Sequence, residues 1–348
     1  MPIVATAAEP RLPVEPPVRP MLGRLVRELP AGDFTYEPKW DGFRCLAFRA
    51  GNRVDLRSRN DRPLARYFPE LAAGLSELEA DLFVLDGEIL VAAGDWYDFG
   101  ALMARLHPVA SRVEHLSSLT PATLVAFDAL SIDGSDLRGK PFAERRGQLA
   151  RLLGRPSPVV RLTPSTADIA AARDWLEGRE PGVDGVMAKH PSLTYREGER
   201  AMLKVKLERT LDCVVAGFRL LVDRPLPSSL LLGLYDEAGS LQHIGIAASF
   251  SNRLRTQLLD ELQPLTVPLR GHPWEHGFLL GGSPVGRLKG AAGRWAPAEM
   301  SLDWIPVAPT RVVEVSYDHM DARRLRHPAR FRRWRDDRDS RSCTFEQT

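Results

Sequence analysis

Short runs of apolar or alternating residues, separated by turn-forming residues, recur along most of this chain and restrict it to folds rich in β-strands. Seven of them fall in the first 209 residues, at 44–50, 53–59, 82–85, 88–92, 123–129, 183–188 and 202–206. The first two meet at Gly51 and Asn52, a pair typical of a tight hairpin turn. Helical patterns lie between the runs at about 66–79, about 142–153 and about 166–177. The sequence therefore predicts an α+β domain over residues 1–209.

Single residues near the helix ends, and the composition of the N-terminal segment, allow further predictions. Thr166 is suited to cap the third helix, while Gly154 and Gly178 stand just beyond the ends of the second and third. Residues 1–20 are rich in Pro and Ala, and we expect them to form an extended leader on the surface rather than a domain.

The second part of the chain has a different pattern, with four strand-like runs and one helix. The runs lie at 213–220, 229–235, 241–247 and 311–317, the helix lies at about 252–263, and a Pro- and Gly-rich connection spans about 264–308. Short strands with a single helix are typical of a small β-barrel, and the OB-fold is the familiar nucleic-acid-binding barrel of this size. We therefore predict an OB-fold β-barrel over residues 210–348.

Composition excludes several classes of protein. With 348 residues, 44% of them hydrophobic and 26% charged, the chain is long enough for two globular domains with separate cores. It has neither a signal-like N-terminus nor eighteen consecutive apolar residues, which predicts a cytoplasmic protein without a membrane anchor. Its three widely spaced cysteines fit neither a disulfide framework nor a zinc motif.

An arginine-rich stretch near the C-terminus bears on the binding partner. Residues 321–341 contain nine arginines and four aspartates, with Phe331 and Trp334 among them. This pattern fits contact with nucleic-acid phosphates and fits a solvated charged surface equally well. The net charge of +2 does not decide between the two, because the position of charge matters more than its sum.

Lysine usage is the most selective compositional feature. Of 47 basic residues only six are lysine, at positions 39, 140, 189, 204, 206 and 289, so arginine serves wherever a plain positive charge is enough. A guanidinium stays protonated and cannot act as a nucleophile, whereas a lysine amine loses its proton when burial or neighbouring cations lower its pKa. The lysines that remain are therefore candidates for chemistry that arginine cannot perform.

Lys39 lies in the segment with the strongest chemical signal. The segment reads Glu-Pro-Lys-Trp-Asp-Gly-Phe-Arg at positions 37–44 and stands at the start of the first strong β run. An acid follows the lysine, then a glycine that lets backbone approach a ligand closely, then an arginine on the strand. The segment resembles the Lys-x-Asp-Gly-x-Arg signature of the covalent nucleotidyltransferases, which comprise DNA ligases, RNA ligases and RNA capping enzymes.

Six further segments resemble the motifs of that family, in the family's order. They are Ser-Arg-Asn at 58–60, Leu-Asp-Gly-Glu-Ile at 85–89, Val-Ala-Phe-Asp at 125–128, Asp-Gly-Val-Met-Ala-Lys at 184–189, Leu-Lys-Val-Lys at 203–206 and Arg-Asp-Asp-Arg at 335–338. Singly, Asp86 and Gly87 also fit a hairpin turn, Phe127 fits a core residue, and Lys204 and Lys206 fit the solvent face of an edge strand. Seven elements in order favour the family.

The resemblance implies an adenylation site. Lys39 would attack the α-phosphorus of ATP and carry AMP, with Lys204 and Lys206 as catalytic partners. These two lysines and Mg²⁺ are expected to lower the pKa of Lys39, because like charge disfavours the ammonium form. Glu88 and Asp184 are implied as ligands of Mg²⁺ or Mn²⁺, with Glu88 also near the ribose.

The same resemblance implies a set of nucleotide contacts. Glu37 would read the adenine amino group, and Phe127 would stack on the base. Arg44 and Arg59 would hold the ribose and later the 5′-phosphate of a nick, while Lys189 would contact phosphate or ribose.

In this family the OB domain closes over the nucleotide and then swings away. This implies that Arg335, Asp337 and Arg338 orient pyrophosphate and that a hinge lies near residues 208–212. Two positions depart from the commoner pattern, because Asp184 stands in place of glutamate and Arg338 in place of lysine. The shorter carboxylate is expected to shift the metal or to need a bridging water, while Arg338 keeps the charge that pyrophosphate binding needs.

The tail at 333–346 resembles short bacterial ligases of the ligase C type, which work in end joining and excision repair. It implies a monomeric enzyme that acts on nicked duplex DNA with the help of end-joining or excision-repair proteins. We expect no helical DNA-encircling domain, and hence a nick affinity that falls steeply with salt. An RNA ligase or a capping guanylyltransferase would share Lys39, Glu88 and Lys204, and an inert nucleic-acid-binding module would keep the fold alone.

Overall fold

The computed structural model describes residues 11–93, 96–177, 182–206, 209–277, 303–321 and 323–348. The chain divides into two compact units, Met1–Leu207 and Glu208–Thr348. Each unit has hydrophobic clusters of its own, as the length of the chain predicts.

The first unit has the predicted α+β structure. Its strands are β1 Gly23–Leu25, β2 Thr35–Trp40, β3 Phe43–Ala50, β4 Arg53–Ser58, β5 Leu82–Ala93, β6 Trp96–Tyr97, β7 Ala122–Ile132, β8 Ser135–Asp136, β9 Val160–Leu162, β10 Val183–Lys189 and β11 Met202–Lys206. Its helices are α1 Pro69–Leu75, α2 Phe99–Ala104, α3 Ala110–Leu119, α4 Phe142–Leu152 and α5 Ile169–Leu176.

Two sheets organise this unit. The larger follows the path β4-β3-β5-β7-β8, with β6 on β5 and β9 on β7, and the smaller has the order β1-β11-β10-β2. Only β1 with β11 and β7 with β9 are parallel among the described pairs. The β3–β4 hairpin pairs Ala50 with Arg53, so Gly51 and Asn52 form the predicted two-residue turn.

β3 is buried on both faces, which explains its unbroken apolar run. Cys45 and Ala47 join the cluster that includes residues of the helices, while Leu46 and Phe48 point to the opposite face, since side chains alternate along a strand. The described part of the predicted leader, residues 11–20, has no helix or strand and has every second residue exposed, but its other face is not on the surface. Val14 and Val18, together with the following Met21, are buried against Leu46 and Phe48.

Some helix predictions need correction. The helix near 66–79 is shorter than expected, because a 3-10 turn precedes α1 and the helix ends at Leu75. α5 begins at Ile169, since Asp168 rather than Thr166 caps it by accepting a hydrogen bond from the Ala170 amide at 2.8 Å. α2 and α3 have no predicted counterpart, because each buries only one residue and so lacks an apolar stripe. Gly178 lies outside the described residues.

Two alternative interpretations of the motifs are wrong. β5 passes unbroken through Asp86 and Gly87, so these residues form no hairpin turn. β11 lies between β1 and β10, so Lys204 and Lys206 do not stand on an edge strand.

The second unit is a small barrel. Its strands are β12 Arg209–Leu220, β13 Pro227–Tyr235, β14 Leu241–Ala248, β15 Ile305–Tyr317, β16 Met320–Asp321, β17 Arg324–Leu325 and β18 Arg330–Trp334, and its helix is α6 Asn252–Leu262. β15 begins earlier than predicted, and residues 278–302 of the predicted connection lie outside the described part of the chain.

Five of these strands form one antiparallel sheet in the order β14-β13-β12-β15-β18. A parallel bridge between Ala247 and Ala329 joins β14 to the start of β18. Two backbone hydrogen bonds hold it, from Ala248 to Ala329 at 3.0 Å and from Ala329 to Ile246 at 2.8 Å. The two edges of the sheet therefore meet, and the predicted OB-fold barrel is confirmed.

Two further expectations concern the whole chain. Cys45, Cys213 and Cys343 are buried free thiols. None of the helices in the described residues combines the length and the apolar composition needed to cross a membrane.

Candidate functional site

Lys39 lies on β2, where side-chain alternation places it on the same face as Glu37. Its Nζ donates a hydrogen bond to Asp184 Oδ2 at 2.5 Å, and Lys206 Nζ lies 3.6 Å from the same oxygen. The Lys39 side chain is 20% exposed. The structure thus brings together the predicted nucleophile, one predicted metal ligand and one predicted catalytic lysine.

Asp184 reaches this cluster from an irregular part of β10. The register between β10 and β2 shifts between Val183 and Val186. Within the shift, Gly185 has φ +147°, and a Cβ there would lie 2.1 Å from the Val205 carbonyl oxygen on β11. Only glycine allows this close approach, and such an irregularity redirects the neighbouring side chain.

The pKa of Lys39 does not move in the predicted direction. Burial lowers it, but the charge of Asp184, the hydrogen bond to Asp184, and the charges of Glu88 and Asp41 together raise the pKa above the ordinary lysine value. The prediction of a lowered pKa is therefore wrong for this state. A carboxylate in direct contact with the amine outweighs the surrounding cations.

Lys204 has the lowered pKa instead. Burial contributes most, followed by the charges of Lys39, Lys206 and Arg59, all of which disfavour the ammonium form. Arg59 is exposed just after the end of β4, and its influence on Lys204 places it near the cluster. Lys39, Lys206 and Arg59 thus act on Lys204, as expected of residues that share one site. The lysine whose pKa is lowered is Lys204, however, and not Lys39.

Glu88 lies on β5 directly across from Arg44 on β3. Its Oε1 accepts a hydrogen bond from the Gly42 amide at 3.2 Å. A Cβ on Gly42 would lie 2.2 Å from the Ile89 carbonyl oxygen, so glycine is required where this loop meets β5. Burial raises the pKa of Glu88 to about 7, against the opposing effect of Arg44 and Lys39.

The structure fits a metal ion at Glu88 and Asp184 only if the ion binds together with a nucleotide. Both carboxylates act on Lys39 by their charge. Among the described residues, no group of three His, Cys, Asp or Glu side chains is placed to hold a metal ion. Two carboxylates suit Mg²⁺ that arrives with a nucleotide, because that ion keeps waters and phosphate oxygens as its other ligands. They do not suit a permanently bound structural metal.

Arg44 is fixed by a buried network. Its Nε and one terminal nitrogen donate to the two oxygens of Asp86, both at 2.6 Å, and the same terminal nitrogen donates to the Met21 carbonyl at 3.1 Å. Asp86 also accepts from the Tyr195 hydroxyl at 2.6 Å, and that hydroxyl accepts from the Met21 amide at 3.2 Å. Burial lowers the pKa of Arg44, but the pairing with Asp86 outweighs it and raises the pKa.

Phe127 is not an ordinary core residue. Asp86 and Gly87 are adjacent on β5 but pair with Asp128 and Ala126 of β7. Phe127, between those two, is therefore the extra residue of a β-bulge. Phe127 is partly exposed, and two cations lie close to its ring, with the Arg44 Cζ 4.7 Å and the Lys189 Nζ 4.9 Å from the ring centroid.

Glu37 is buried, and both of its oxygens are paired. Arg146 donates to Oε1 at 2.5 Å, and Lys189 lies 2.8 Å from Oε2. Lys189 also donates to the Phe127 carbonyl at 3.0 Å, and only 1% of its side chain is exposed. The Lys189 amine is therefore engaged by Glu37 and Phe127, and its contact with phosphate or ribose stays a prediction.

The three predicted pyrophosphate contacts lie in the second unit. Arg335 pairs with Asp337 through two hydrogen bonds of 2.8 and 2.9 Å. Arg335 also donates to Asp212 Oδ2 at 2.8 Å, and Arg338 donates to the same oxygen. The partner Arg335 lowers the pKa of Asp337 to about 2. Asp212 gathers the two arginines, and no sequence motif singled it out.

Arg146 and Tyr195 were also absent from the motif predictions. Arg145 and Arg146 are adjacent on α4 and serve different carboxylates, Asp128 and Glu37. A pair of arginines on a helix with few apolar positions is a weak signal, because such residues are usually solvated. Tyr195 lies in a loop with no secondary-structure pattern.

Comparison with known proteins identifies the family. Residues 20–206 match the family described as ATP dependent DNA ligase domain, and residues 223–338 match the ATP dependent DNA ligase C terminal region. DNA ligase C2 of Mycolicibacterium smegmatis is 49% identical over 340 residues, which cover 97% of this chain and 95% of that protein. DNA ligase C of Mycobacterium tuberculosis is 45% identical over 343 residues, with the same coverage of 97% and 95%.

A solved structure of a Lig E DNA ligase shares the fold. It superposes with a TM-score of 0.54 at 17% identity and covers 90% of this chain and 99% of that one. The predicted resemblance to ligase C is confirmed by the relatives, and the predicted fold by the matched domains. The chain belongs to the ATP-dependent DNA ligases.

Proposed function

We propose that Lys39 is the residue that carries AMP when this ligase seals a nick. The observation that supports this most directly is the position of the Lys39 amine. It is bonded to Asp184 at 2.5 Å and lies in a cluster with Glu88, Lys204 and Lys206, and its side chain is 20% exposed. A nucleophilic amine, carboxylates and phosphate-binding cations are what nucleotidyl transfer needs.

The reaction has three steps. In the first, Lys39 Nζ, having lost its ammonium proton to solvent, forms a bond to the α-phosphorus of ATP and loses a second proton; the bond from the α-phosphorus to the bridging oxygen breaks, and pyrophosphate leaves with the electron pair. In the second, a 5′-phosphate oxygen of the nick forms a bond to the AMP phosphorus, the phosphorus–nitrogen bond breaks, and Lys39 Nζ keeps the electron pair and is protonated. In the third, the 3′-hydroxyl attacks the activated 5′-phosphorus, its proton is lost, and AMP leaves.

The residues around Lys39 have different roles in these steps. Lys204 and Lys206 balance the charge of the phosphates, and Arg44 and Arg59 hold the ribose and then the 5′-phosphate. Phe127 offers its partly exposed ring to the adenine.

Glu88 and Asp184 would hold Mg²⁺ or Mn²⁺ bound with the nucleotide, and the ion would neutralise charge on the leaving pyrophosphate. Arg335, Asp337 and Arg338 orient that pyrophosphate. The two arginines keep their charge at any physiological pH, which this task requires.

The substrate of the whole protein is nicked duplex DNA, and we propose a role in DNA repair with end-joining or excision-repair proteins. The enzyme acts as a monomer in the cytoplasm, at the nucleoid. The proposal of a DNA substrate rests on membership of the family and on the relatives called DNA ligase C. Its nick affinity falls steeply with salt, because contacts to phosphates release counterions.

Labelling tests the proposal. Wild type, Lys39→Ala and Lys140→Ala are incubated with α-labelled ATP and then chased with nicked DNA. Lys140 is a suitable control, since its side chain is 52% exposed and pairs with the exposed Glu144. We expect protein-bound label in the wild type and in Lys140→Ala, discharged by the nick, and none in Lys39→Ala.

Two other outcomes would point to a different enzyme. Labelling by GTP in preference to ATP would indicate a capping guanylyltransferase. Discharge by nicked RNA in preference to nicked DNA would indicate an RNA ligase. Label retained by Lys39→Ala would refute the assignment of the nucleophile.

A further inference from the structure

We propose that Thr163 is a positioning residue for Lys39 and that it acts through the indole of Trp40. The inference rests on the proposed function, because it requires that Lys39 be the nucleophile. It gives a role to the residue between the lysine and the acid of the first motif, a position that the motif leaves open. Thr163 itself lies outside every motif of the sequence.

Lys39 and Trp40 are the last two residues of β2, so their side chains point to opposite faces of the smaller sheet. Lys39 contacts Asp184, whereas Trp40 is only 8% exposed. The cross-strand partner of Trp40 on β10 is Val183, which directly precedes Asp184 in the chain. Both members of the Lys39–Asp184 pair are therefore chain neighbours of one buried pair.

The Trp40 ring packs between the two sheets of the first unit. It shares a hydrophobic cluster with Val183 of the smaller sheet and with Leu90 and Val125 of the larger one. The edge of the Tyr97 ring also lies against it, with the ring centroids 5.7 Å apart. The position of this ring therefore affects the spacing of the two sheets next to Lys39.

The single polar atom of the indole is bonded to Thr163. Trp40 Nε1 donates to Thr163 Oγ1 at 2.8 Å, and Thr163 is 1% exposed. An indole N–H can only donate, and a buried donor that loses its acceptor is costly. This hydrogen bond therefore fixes the orientation of the ring within its apolar surroundings.

Thr163 is a rigid anchor, because both of its backbone groups are bonded. Its amide donates to the Ala126 carbonyl at 2.9 Å, and its carbonyl accepts from Arg146 at 2.7 Å. Thr163 directly follows β9, which pairs with β7 of the larger sheet. The bond between Trp40 and Thr163 thus ties the end of the strand that carries Lys39 to the larger sheet.

This tie matters because residues of both sheets act on the amine. Lys39 and Asp184 belong to the smaller sheet, whereas Glu88 belongs to the larger one and acts on Lys39 by its charge. Attack on phosphorus needs the amine in one narrow range of positions, and a displacement of about 1 Å can slow such a step by about a hundredfold. Loss of the tie should therefore slow lysyl-AMP formation more than it weakens the binding of ATP.

The test measures two rates of the full-length enzyme, the single-turnover formation of lysyl-AMP and the sealing of a pre-adenylylated nick, which bypasses Lys39. Thr163→Val removes the hydroxyl, Thr163→Ser keeps it, and Trp40→Phe removes the N–H. Thr123→Val is the matched control, because Thr123 is a partly buried threonine of the same sheet whose hydroxyl makes only a long bond, of 3.4 Å, to the Pro158 carbonyl.

We expect Thr163→Val and Trp40→Phe each to slow the maximal rate of lysyl-AMP formation by about tenfold, with the KM for ATP and the sealing rate within about twofold of wild type. Thr163→Ser should recover most of the rate, and Thr123→Val should match wild type. Because the two residues act through one bond, the double variant with Thr163→Val and Trp40→Phe should be no slower than the slower single variant.

Three results would refute the inference and leave the proposed function standing. They are a Thr163→Val enzyme that forms lysyl-AMP at the wild-type rate, an equal slowing of lysyl-AMP formation and sealing, and effects that multiply in the double variant. If Trp40→Phe does not fold, the two rates of Thr163→Val and Thr163→Ser decide the question. Label retained by Lys39→Ala would instead refute the proposed function.

Discussion

Asp184 accepts a hydrogen bond from Lys39 at 2.5 Å, and the same oxygen lies 3.6 Å from Lys206, so one carboxylate engages two of the six lysines of the chain. Held in this way, Lys39 is an ammonium ion and has no lone pair for attack on phosphorus. The pair must therefore be broken before the reaction begins. The structure describes a resting arrangement in which the nucleophile is stored in its protonated form.

Substitution of Asp184 tests this relationship. We expect Asp184→Asn to slow lysyl-AMP formation by roughly a hundredfold, because it removes both the carboxylate that positions the amine and an oxygen ligand for Mg²⁺. Asp184→Glu restores the residue more common in the family and should keep activity within about tenfold. Single-turnover label transfer measures both. An Asp184→Asn enzyme as fast as wild type would show that the pair is incidental.

A second prediction concerns the contact between Gly42 and Glu88. Gly42→Ala places a methyl group 2.2 Å from the Ile89 carbonyl oxygen and 3.1 Å from Glu88 Cγ. The loop must move, and we expect a loss of about 1–3 kcal/mol in stability together with a weaker response to Mg²⁺. Gly139→Ala is the control, because nothing lies within 4 Å of a Cβ there. Thermal unfolding and a metal titration of label transfer measure the two effects, and equal behaviour of the two variants would contradict the argument.

Tyr195 supports Arg44 through Asp86, and its hydroxyl can be removed alone. In Tyr195→Phe, Asp86 and the Met21 amide each lose a partner, so we expect a loss of about 1–3 kcal/mol in stability. A less rigid Arg44 should slow the sealing step more than adenylation. Tyr67→Phe is the control, since its hydroxyl makes no hydrogen bond among the described residues. A variant that seals as fast as wild type would separate Tyr195 from the site.

Much of this site was predictable because its residues are encoded by local pattern. Lys39, Asp184, Glu88 and Phe127 stand in short segments whose chemistry is visible without the fold. Their surroundings were not predictable in the same way. The pKa of Lys39 depends on a contact across 145 positions of sequence, and only the fold sets which charge comes nearest.

Residues that act through pairing were harder to predict than residues that act on substrate. Arg146 and Tyr195 contact Glu37 and Asp86, each from 109 positions away. Neither lies in a segment with a recognisable pattern. The buried Val14 and Val18 were missed for a related reason, because a Pro-rich segment signals extended backbone but not the surface that it covers.

The barrel should show its own dependence on pH. Burial, together with the charges of Arg324 and Arg219, lowers the pKa of His243 to about 3. Between pH 3 and the unfolded value of about 6.5 the unfolded chain binds more protons, so stability falls as pH falls through this window, by at most about 1.4 kcal/mol per pH unit. We expect His243→Gln to flatten this slope, as followed by thermal unfolding. His190→Gln, at an exposed position, should keep the wild-type slope.

Asp212 gives the last prediction, because it holds both Arg335 and Arg338. If these arginines orient pyrophosphate, their displacement should harm only the step in which pyrophosphate leaves. We expect Asp212→Asn to slow lysyl-AMP formation by about tenfold and to leave the sealing of a pre-adenylylated nick within about twofold of wild type. Asp336→Asn is the matched control, since Asp336 pairs with Arg311 and its side chain is 74% exposed. Equal slowing of both steps by Asp212→Asn would mean that the residue maintains the barrel, and that the arginines it gathers have no specific task in adenylation.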